Sequence, residues 1–232
     1  MSKIKNSVKR EIVVHAPLEQ VWDALTKSDH LNRWYTKDAE LDFRIGGRGY
    51  INHGWGATSE GIFTEIEAMK RFVLQSLDGD FKTITTLEIE DSGTRVSIEY
   101  QASYLDEMSQ LTLENMLFGT GQFLENLKSV YETGVDMRPS FWKAWIGITY
   151  ITNVGDRGIR VLHVKKDSVA AAAGIEPEDI IESIDGEPIT GYESFEKELN
   201  NKTVNGKVTL TIERKSKIIQ VDCLVDAYPV LY

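Results

Sequence analysis

The residue types that most often perform chemistry are thinly spread along these 232 residues. Four histidines, His15, His30, His53 and His163, stand singly, without a carboxylate or cysteine at the spacings metal sites use, so no metal site is expected. Cys223 is the one cysteine, which excludes an internal disulfide and a cysteine-rich metal centre and leaves a buried thiol in a strand as its expected role. Around Ser59, the stretch Gly56-Ala57-Thr58-Ser59-Glu60-Gly61 misses the G-x-S-x-G nucleophile elbow, because Ala57 stands where the first glycine is needed. Gly47-Arg48-Gly49 and Gly119-Thr120-Gly121 start like dinucleotide-binding loops, yet neither has a third glycine three residues on. No catalytic residue is therefore assigned and no cofactor is expected. His53, beside Trp55 on an expected strand, is the histidine worth following; a place on the rim of a cavity is preferred for it over a catalytic one.

Charge narrows the partners. The net charge is −10; residues 1–137 hold 14 Lys and Arg against 22 Asp and Glu, and residues 138–232 hold 12 against 14. An acidic front half argues against nucleic acid, which needs a clustered basic face to displace counterions, and against anionic membrane surfaces. No run approaches the ~20 apolar residues of a membrane helix. Residues 1–7 are basic but lead into no apolar signal-peptide core, so a cytoplasmic location is expected.

Two segments of different rhythm meet at residues 134–140, between Thr133-Gly134 and Pro139. The expected domains are 1–136 and 140–232. The first opens with a strand over Val8–His15 and a helix starting at Ala16-Pro17-Leu18-Glu19, with Pro17 in its first turn and Val21, Trp22 and Leu25 inward. A short helix follows over Ser28–Trp34. The period then becomes two over Leu41–Ile45, Gly49–His53, Glu60–Glu67, Arg71–Leu77, Thr83–Glu90 and Thr94–Gln101, an antiparallel meander. Ser109–Glu132 closes the domain as a helix with Leu113, Met116, Leu117, Leu124, Leu127 and Tyr131 on one face. This is an α+β plan in which a curved sheet wraps a long C-terminal helix and can leave a cavity.

Ala16-Pro17-Leu18-Glu19-Gln20-Val21-Trp22-Asp23-Ala24-Leu25-Thr26, His30-Leu31-Asn32-Arg33-Trp34-Tyr35 and Phe43-Arg44-Ile45-Gly46-Gly47-Arg48 resemble the START-like (SRPBCC) superfamily. The likeness is to its bacterial branch related to activators of the heat-shock chaperone ATPase. Gly61-Ile62-Phe63-Thr64-Glu65-Ile66 and Phe123-Leu124-Glu125-Asn126-Leu127-Lys128 fit in the same order. The resemblance covers nearly all of residues 7–134 and implies a helix-grip fold with an apolar cavity under the last helix. It implies no single activity. The candidate cavity residues are Trp34, His53, Trp55, Gln75, Met116, Thr120 and Phe123. The sequence departs from the pattern where Thr120 follows Gly119 in place of an aromatic residue.

The second domain reads as strands over Ala144–Thr152, Gly158–Val164 and Glu178–Ile184, a short helix from Ser168 to Gly174, a helix over Tyr192–Asn200, and a hairpin of Lys207–Arg214 with Lys217–Val225. Lys143-Ala144-Trp145-Ile146-Gly147-Ile148, Ser168-Val169-Ala170-Ala171-Ala172-Ala173-Gly174-Ile175 and Pro177 through Ile189, with the helix containing Phe195, resemble an HtrA-type PDZ domain. No protease domain accompanies it. The resemblance implies that the N–H groups of Ile146, Gly147 and Ile148 form a carboxylate loop, since a glycine before a strand lets successive N–H groups share one concavity. A partner's C-terminal tail would then add as a strand beside residues 148–152. Lys143 would add a positive charge beside the loop or serve as a solvated linker residue, and Trp145 lies next to it. Phe195 and Leu199, with Ile146 and Ile148, would line a pocket for the last side chain or serve as plain core. Trp142 and Trp145 would anchor the two domains against each other, a reading preferred to a docking patch.

The expected function is a non-catalytic adaptor or sensor, with an apolar small molecule or a client in the cavity and a C-terminal peptide on the second domain. Two alternatives stay open: a cyclase- or hydrolase-type enzyme in the cavity, and a co-chaperone stimulating a heat-shock ATPase.

Overall fold

The structure, a computed structural model, describes residues 7–102, 109–153, 155 and 157–229; the basic residues 1–6 lie outside them. These divide into two compact units, one of residues 7–102, 109 and 115–139, the other of 110–114 and 140–229. Among the described residues no helix is long and apolar enough to cross a membrane.

The first unit is α+β. Its elements are β1 (Ser7–Val14), α1 (Leu18–Thr26), α2 (Ser28–Trp34), β2 (Asp38–Leu41), β3 (Arg48–Gly54), β4 (Ala57–Glu67), β5 (Arg71–Ser76), β6 (Phe81–Glu90) and β7 (Gly93–Ala102). The long helix α3 (Gln110–Thr133) follows and enters this unit at residue 115. The strands form one antiparallel sheet in the order β1-β7-β6-β5-β4-β3-β2. β1 crosses back to pair with β7 from Ser7↔Gln101 to Val14↔Thr94. Helix α1 buries Val21, Trp22 and Leu25, and Trp22 meets Phe43 and Phe72 edge-on, each at 5.8 Å. Pro17 stands at the N-cap, one residue before the first turn. Trp34 is wholly covered, and its indole N–H donates to the Ala24 carbonyl at 2.9 Å, fastening α2 to α1.

The expected strand over Leu41–Ile45 is a correction. Pairing with β3 runs over Asp38–Leu41, and the chain then turns, with Asp42 N–H bonded to Arg48 O and Gly47 N–H to Arg44 O. The apolar alternation of Leu41, Phe43 and Ile45 misled, because Phe43 joins the aromatic core while Ile45 is 65% exposed in the turn. Helix α3 buries Leu124 and Leu127 as the spacing predicts, and also Phe118, Phe123 and Val130. Lys128 Nζ donates to Val13 O at 2.8 Å and Arg10 Nε to Leu117 O at 3.3 Å, tying the helix to β1.

Beyond Gly134 the chain stays attached to this unit. Buried Asn126 donates to Trp34 O at 2.6 Å and accepts the Met137 N–H at 2.6 Å. Arg138, 5% exposed, donates to Thr36 O at 2.7 Å and Asn32 O at 3.0 Å and forms an ion pair with Asp136 at 2.7 Å. These partners of the guanidinium are all oxygens, as a buried cation requires.

The second unit contains β8 (Ala144–Trp145), β9 (Ile148–Thr152), β10 (Ile159–Val164), α4 (Val169–Ala172), β11 (Ile180–Ile184), β12 (Glu187–Pro188), α5 (Tyr192–Asn200), β13 (Lys207–Arg214), β14 (Lys217–Leu224) and β15 (Asp226–Ala227). Its main sheet runs β14-β13-β11-β10-β9 with β12 on β11, while β15 pairs with β8. The single strand expected over Ala144–Thr152 is two, interrupted at Ile146-Gly147, where Gly147 takes a φ of +88°. Ser168 caps α4, accepting the Ala171 N–H at 3.2 Å. β11 starts two residues later than the pattern predicts, because the Asp179 carboxylate turns inward to accept the Glu176 N–H and to pair with Arg214 at 2.6 Å. Cys223 is 1% exposed, and burial pushes its thiol up to about 11, which suits an inert core residue.

Candidate functional site

Two places combine accessible space with convergent polar groups, one in each unit. The first is a cavity of about 190 Å³ between the sheet and the helices of the first unit. Its walls are apolar and aromatic, with Leu25, Trp34, Phe63, Phe72 and Phe81 among them. Three candidate residues line it: Trp34, His53 and Met116. The remaining four stand elsewhere. Phe123 and Trp55 pack on one another with ring centroids 6.1 Å apart, and Phe123 also meets Tyr35 edge-on at 4.9 Å, behind the lining. Thr120 reaches the cavity through Tyr100, whose hydroxyl lies 2.7 Å from Thr120 Oγ1. Gln75 donates to the Gly79 carbonyl at 2.7 Å; strand alternation sends it to the opposite face from its lining neighbour Leu74.

His53 is joined at 2.9 Å through Nε2 to the exposed Ser59, and its ring packs edge-on against Tyr35 at 5.0 Å. Burial lowers its pKa to about 4, so the imidazole is neutral at pH 7. Tyr35 and Tyr100 also line the cavity. Burial raises the pKa of both phenols; Tyr100 acts in the same direction on Tyr35, and the Thr120 hydrogen bond opposes the rise at Tyr100. Among the described residues no ionic group belongs to the lining. Sequence reasoning singled out His53 but not the Tyr35 phenol, although Tyr35 directly follows Trp34 at the end of α2.

The second place is the outer edge of β9 beside α5. β9 ends the sheet, and among the described residues no strand pairs with its outer side, although at its far end Thr152 gives its N–H to Glu114 Oε2 at 2.9 Å and its carbonyl accepts from Gln110 Nε2 at 3.0 Å. At its start the carbonyls of Ile146 and Gly147 turn inward, accepting N–H groups from Ala170 at 2.9 Å and Lys165 at 2.8 Å. Among the described residues no acceptor is found for the N–H groups of Ile146 and Gly147, although both residues are buried. Buried N–H groups are rarely left unpaired, and two adjacent ones around a positive-φ glycine form an anion-binding concavity.

The other candidate residues arrange themselves around this loop. Lys143 is exposed, with its N–H given to the Asn200 side chain at 2.9 Å. Trp145 is half-buried beneath the Lys165 ammonium, 4.8 Å from the ring centroid. Ile146, Ile148, Phe195 and Leu199 are buried, with Phe195 wholly covered and its ring 4.5 Å from that of Tyr150. Phe195 and Leu199 thus lie beneath the groove floor. Trp142 rests on Phe141 at 5.9 Å.

Two groove residues escaped the sequence reading, Tyr150 and Glu196, and a third, Tyr192, was legible on the face of Phe195 and Leu199 but not as part of the site. The Tyr150 hydroxyl donates to Glu196 at 2.5 Å, Tyr192 supplies a second hydrogen bond, and the two tyrosine rings stack at 5.0 Å, pinning β9 to α5. Burial raises the Glu196 pKa against the pull of those hydrogen bonds. A signal was present, since Tyr192, Phe195, Glu196 and Leu199 recur at helical three- and four-residue spacing and Tyr150 follows Ile148 by two.

Comparison with known proteins finds a match for each unit. The family model described as Activator of Hsp90 ATPase homolog 1-like protein matches residues 15–132, and the PDZ domain model matches residues 144–225. No curated protein matches the chain. Among solved structures, the Aha1 dimer from Colwellia psychrerythraea is 20% identical over 55% of this chain and 97% of its own, with a TM-score of 0.50. Protein NE0264 from Nitrosomonas europaea is likewise 20% identical, over 55% of this chain and 95% of its own, with a TM-score of 0.48. At 20% identity the likeness to the Colwellia protein shows the fold alone. With the sheet and closing helix of the first unit matched by the one model and the strand-edge loop of the second by the other, the chain belongs to the Activator of Hsp90 ATPase homolog 1-like family and carries a PDZ domain behind it.

Proposed function

We propose that this protein is a non-catalytic adaptor or sensor, whose PDZ domain takes the free C-terminal end of a partner polypeptide while the cavity of the first domain holds a small apolar molecule. The observation that carries the reading is the pair of N–H groups at Ile146 and Gly147, without an acceptor among the described residues, at the head of a strand edge that no described strand pairs with as far as Thr152. A terminal carboxylate satisfies those donors, and the residues before it continue as a strand along β9. The apolar cavity supports the other half: a desolvated space lined by aromatic rings favours an uncharged ligand.

The peptide half is tested with the full chain and fluorescein-labelled peptides ending in valine, as free acids and as amides. The free acids should bind with micromolar affinity. Amidation should weaken binding by about 1.5–3 kcal/mol, tenfold or more, the range for a hydrogen bond to a charged group. Equal binding of acid and amide would mean that the loop does not read chain ends. A second reading, a hydrolase-type enzyme, is favoured by the 2.9 Å contact between His53 and Ser59. A pKa near 4 makes that imidazole a weak base at pH 7. Hydrolysis of p-nitrophenyl acetate that survives Thr58→Ala and vanishes in Ser59→Ala would favour the enzyme.

A further inference from the structure

The cavity of the first unit is apolar except at a few points, and those points have a pattern. Thr120 Oγ1 donates its single proton to the Met116 carbonyl at 2.8 Å. The 2.7 Å contact between Tyr100 and Thr120 must therefore use the Tyr100 proton, with Thr120 accepting. Tyr100 is left with oxygen lone pairs and no proton to offer. Tyr35 is the converse: among the described residues nothing accepts its hydroxyl proton. The two phenols influence one another electrostatically, yet no hydrogen bond joins them. Of the two phenols, Tyr35 thus offers a donor and Tyr100 an acceptor, beside the hydroxyls of Thr83 and Thr85 that also line the space.

A group that fits between the two phenols accepts one hydrogen bond and donates another. A hydroxyl does both; a carbonyl or an ether does only the first, and an ammonium only the second. The surroundings define the rest of the molecule. Trp34, Phe63, Phe72 and Phe81 supply aromatic walls suited to a ring. Among the described residues no Lys or Arg lines the space, so an anion would be desolvated without a counter-charge from them. The volume, about 190 Å³, compares with the ~150 Å³ of an apolar cavity known to admit benzene, so one substituted ring fits.

We propose that the cavity is a site for a small, uncharged phenol, its ring among the aromatic walls and its hydroxyl bridging Tyr35 and Tyr100. The inference rests on the apolar-ligand reading above and goes beyond it by naming the ligand class and the two residues that select it.

The test uses the full chain and two ligands of nearly equal shape, p-cresol and p-xylene, titrated by calorimetry at pH 7. A hydroxyl carried from water into a site without partners is penalised, so a cavity lacking the bridge favours p-xylene. With the bridge, p-cresol should bind on the order of tenfold more tightly than p-xylene. Tyr35→Phe and Tyr100→Phe should each narrow that ratio and the double variant should reverse it, while p-xylene affinity, which reports an intact cavity, stays unchanged. p-Xylene binding as well as or better than p-cresol, or a ratio untouched by both substitutions, overturns the proposal and leaves the apolar cavity standing. Binding of neither compound overturns the cavity reading itself, and the phenol proposal with it.

Discussion

Replacement of Gly147 by alanine should separate the rigidity of the carboxylate loop from the stability of the domain around it. Gly147 holds a φ of +88°, and a Cβ built there lies 2.3 Å from Ser168 Cβ and 2.7 Å from its Oγ. Positive φ costs an L-residue ~1–2 kcal/mol. Ser168 has little freedom to retreat, because its Oγ caps α4 through Ala171 and its carbonyl accepts the Ala172 N–H at 3.0 Å. Loss of such a cap costs ~1 kcal/mol. Gly147→Ala should therefore destabilise the second unit by ~2–3 kcal/mol. Gly174→Ala is the control: φ is +77° there and nothing lies within 4 Å of the added Cβ, so only the ~1–2 kcal/mol of backbone strain is expected. Native-state hydrogen exchange, read on fragments covering residues 140–229 of the full chain, gives both numbers. Binding of a free-acid peptide should fall at least tenfold in Gly147→Ala and hold in Gly174→Ala. A Gly147→Ala cost no greater than that of Gly174→Ala, or unchanged peptide binding, would show that the loop yields easily and that its geometry is not what reads the peptide.

Two further outcomes follow from buried charge. Arg138→Ala removes the cation from a site where it serves Asp136 and the Thr36 and Asn32 carbonyls; with Asp136 35% exposed, the cost should be about 3 kcal/mol, the low end for breaking a buried pair. Fragment 1–139 should accordingly melt well above fragment 1–136, and equal melting temperatures would show that the Arg138 clasp contributes nothing. Glu196 carries a carboxyl whose pKa burial raises, so the folded state holds its proton more tightly than the unfolded one, and stability falls as pH climbs from the ordinary carboxylate value through the folded pKa. Glu196→Gln should raise the melting temperature of the second unit at pH 7–8 and leave it nearly unchanged at pH 4; a difference constant across that range would refute the assignment.

The amino-acid order alone determined most of the elements. The spacing of Leu124 and Leu127, the breakers Gly134 and Pro139, and the alternation along Glu60–Glu67 are local signals, and local signals suffice for a helix, its end and a strand. Gly147 before an apolar run was legible for a related reason, since a backbone conformation closed to other residues leaves a mark in the residue chosen. The turn at Asp42–Gly47 was not legible, because Phe43 alternates like a strand residue while answering to the aromatic cluster of Trp22, Phe63 and Phe72. The candidate sites divide the same way. His53, Met116 and Trp34 could be named because they sit on elements whose inward face the period reveals. The pairing of Tyr100 with Thr120, the unshared hydroxyl of Tyr35 and the Tyr150–Glu196 bond were decided only in three dimensions. Each depends on side chains brought together from elements 20 or more residues apart, and whether a polar group meets a partner or faces a cavity is a property of that meeting rather than of either residue's neighbours in the chain.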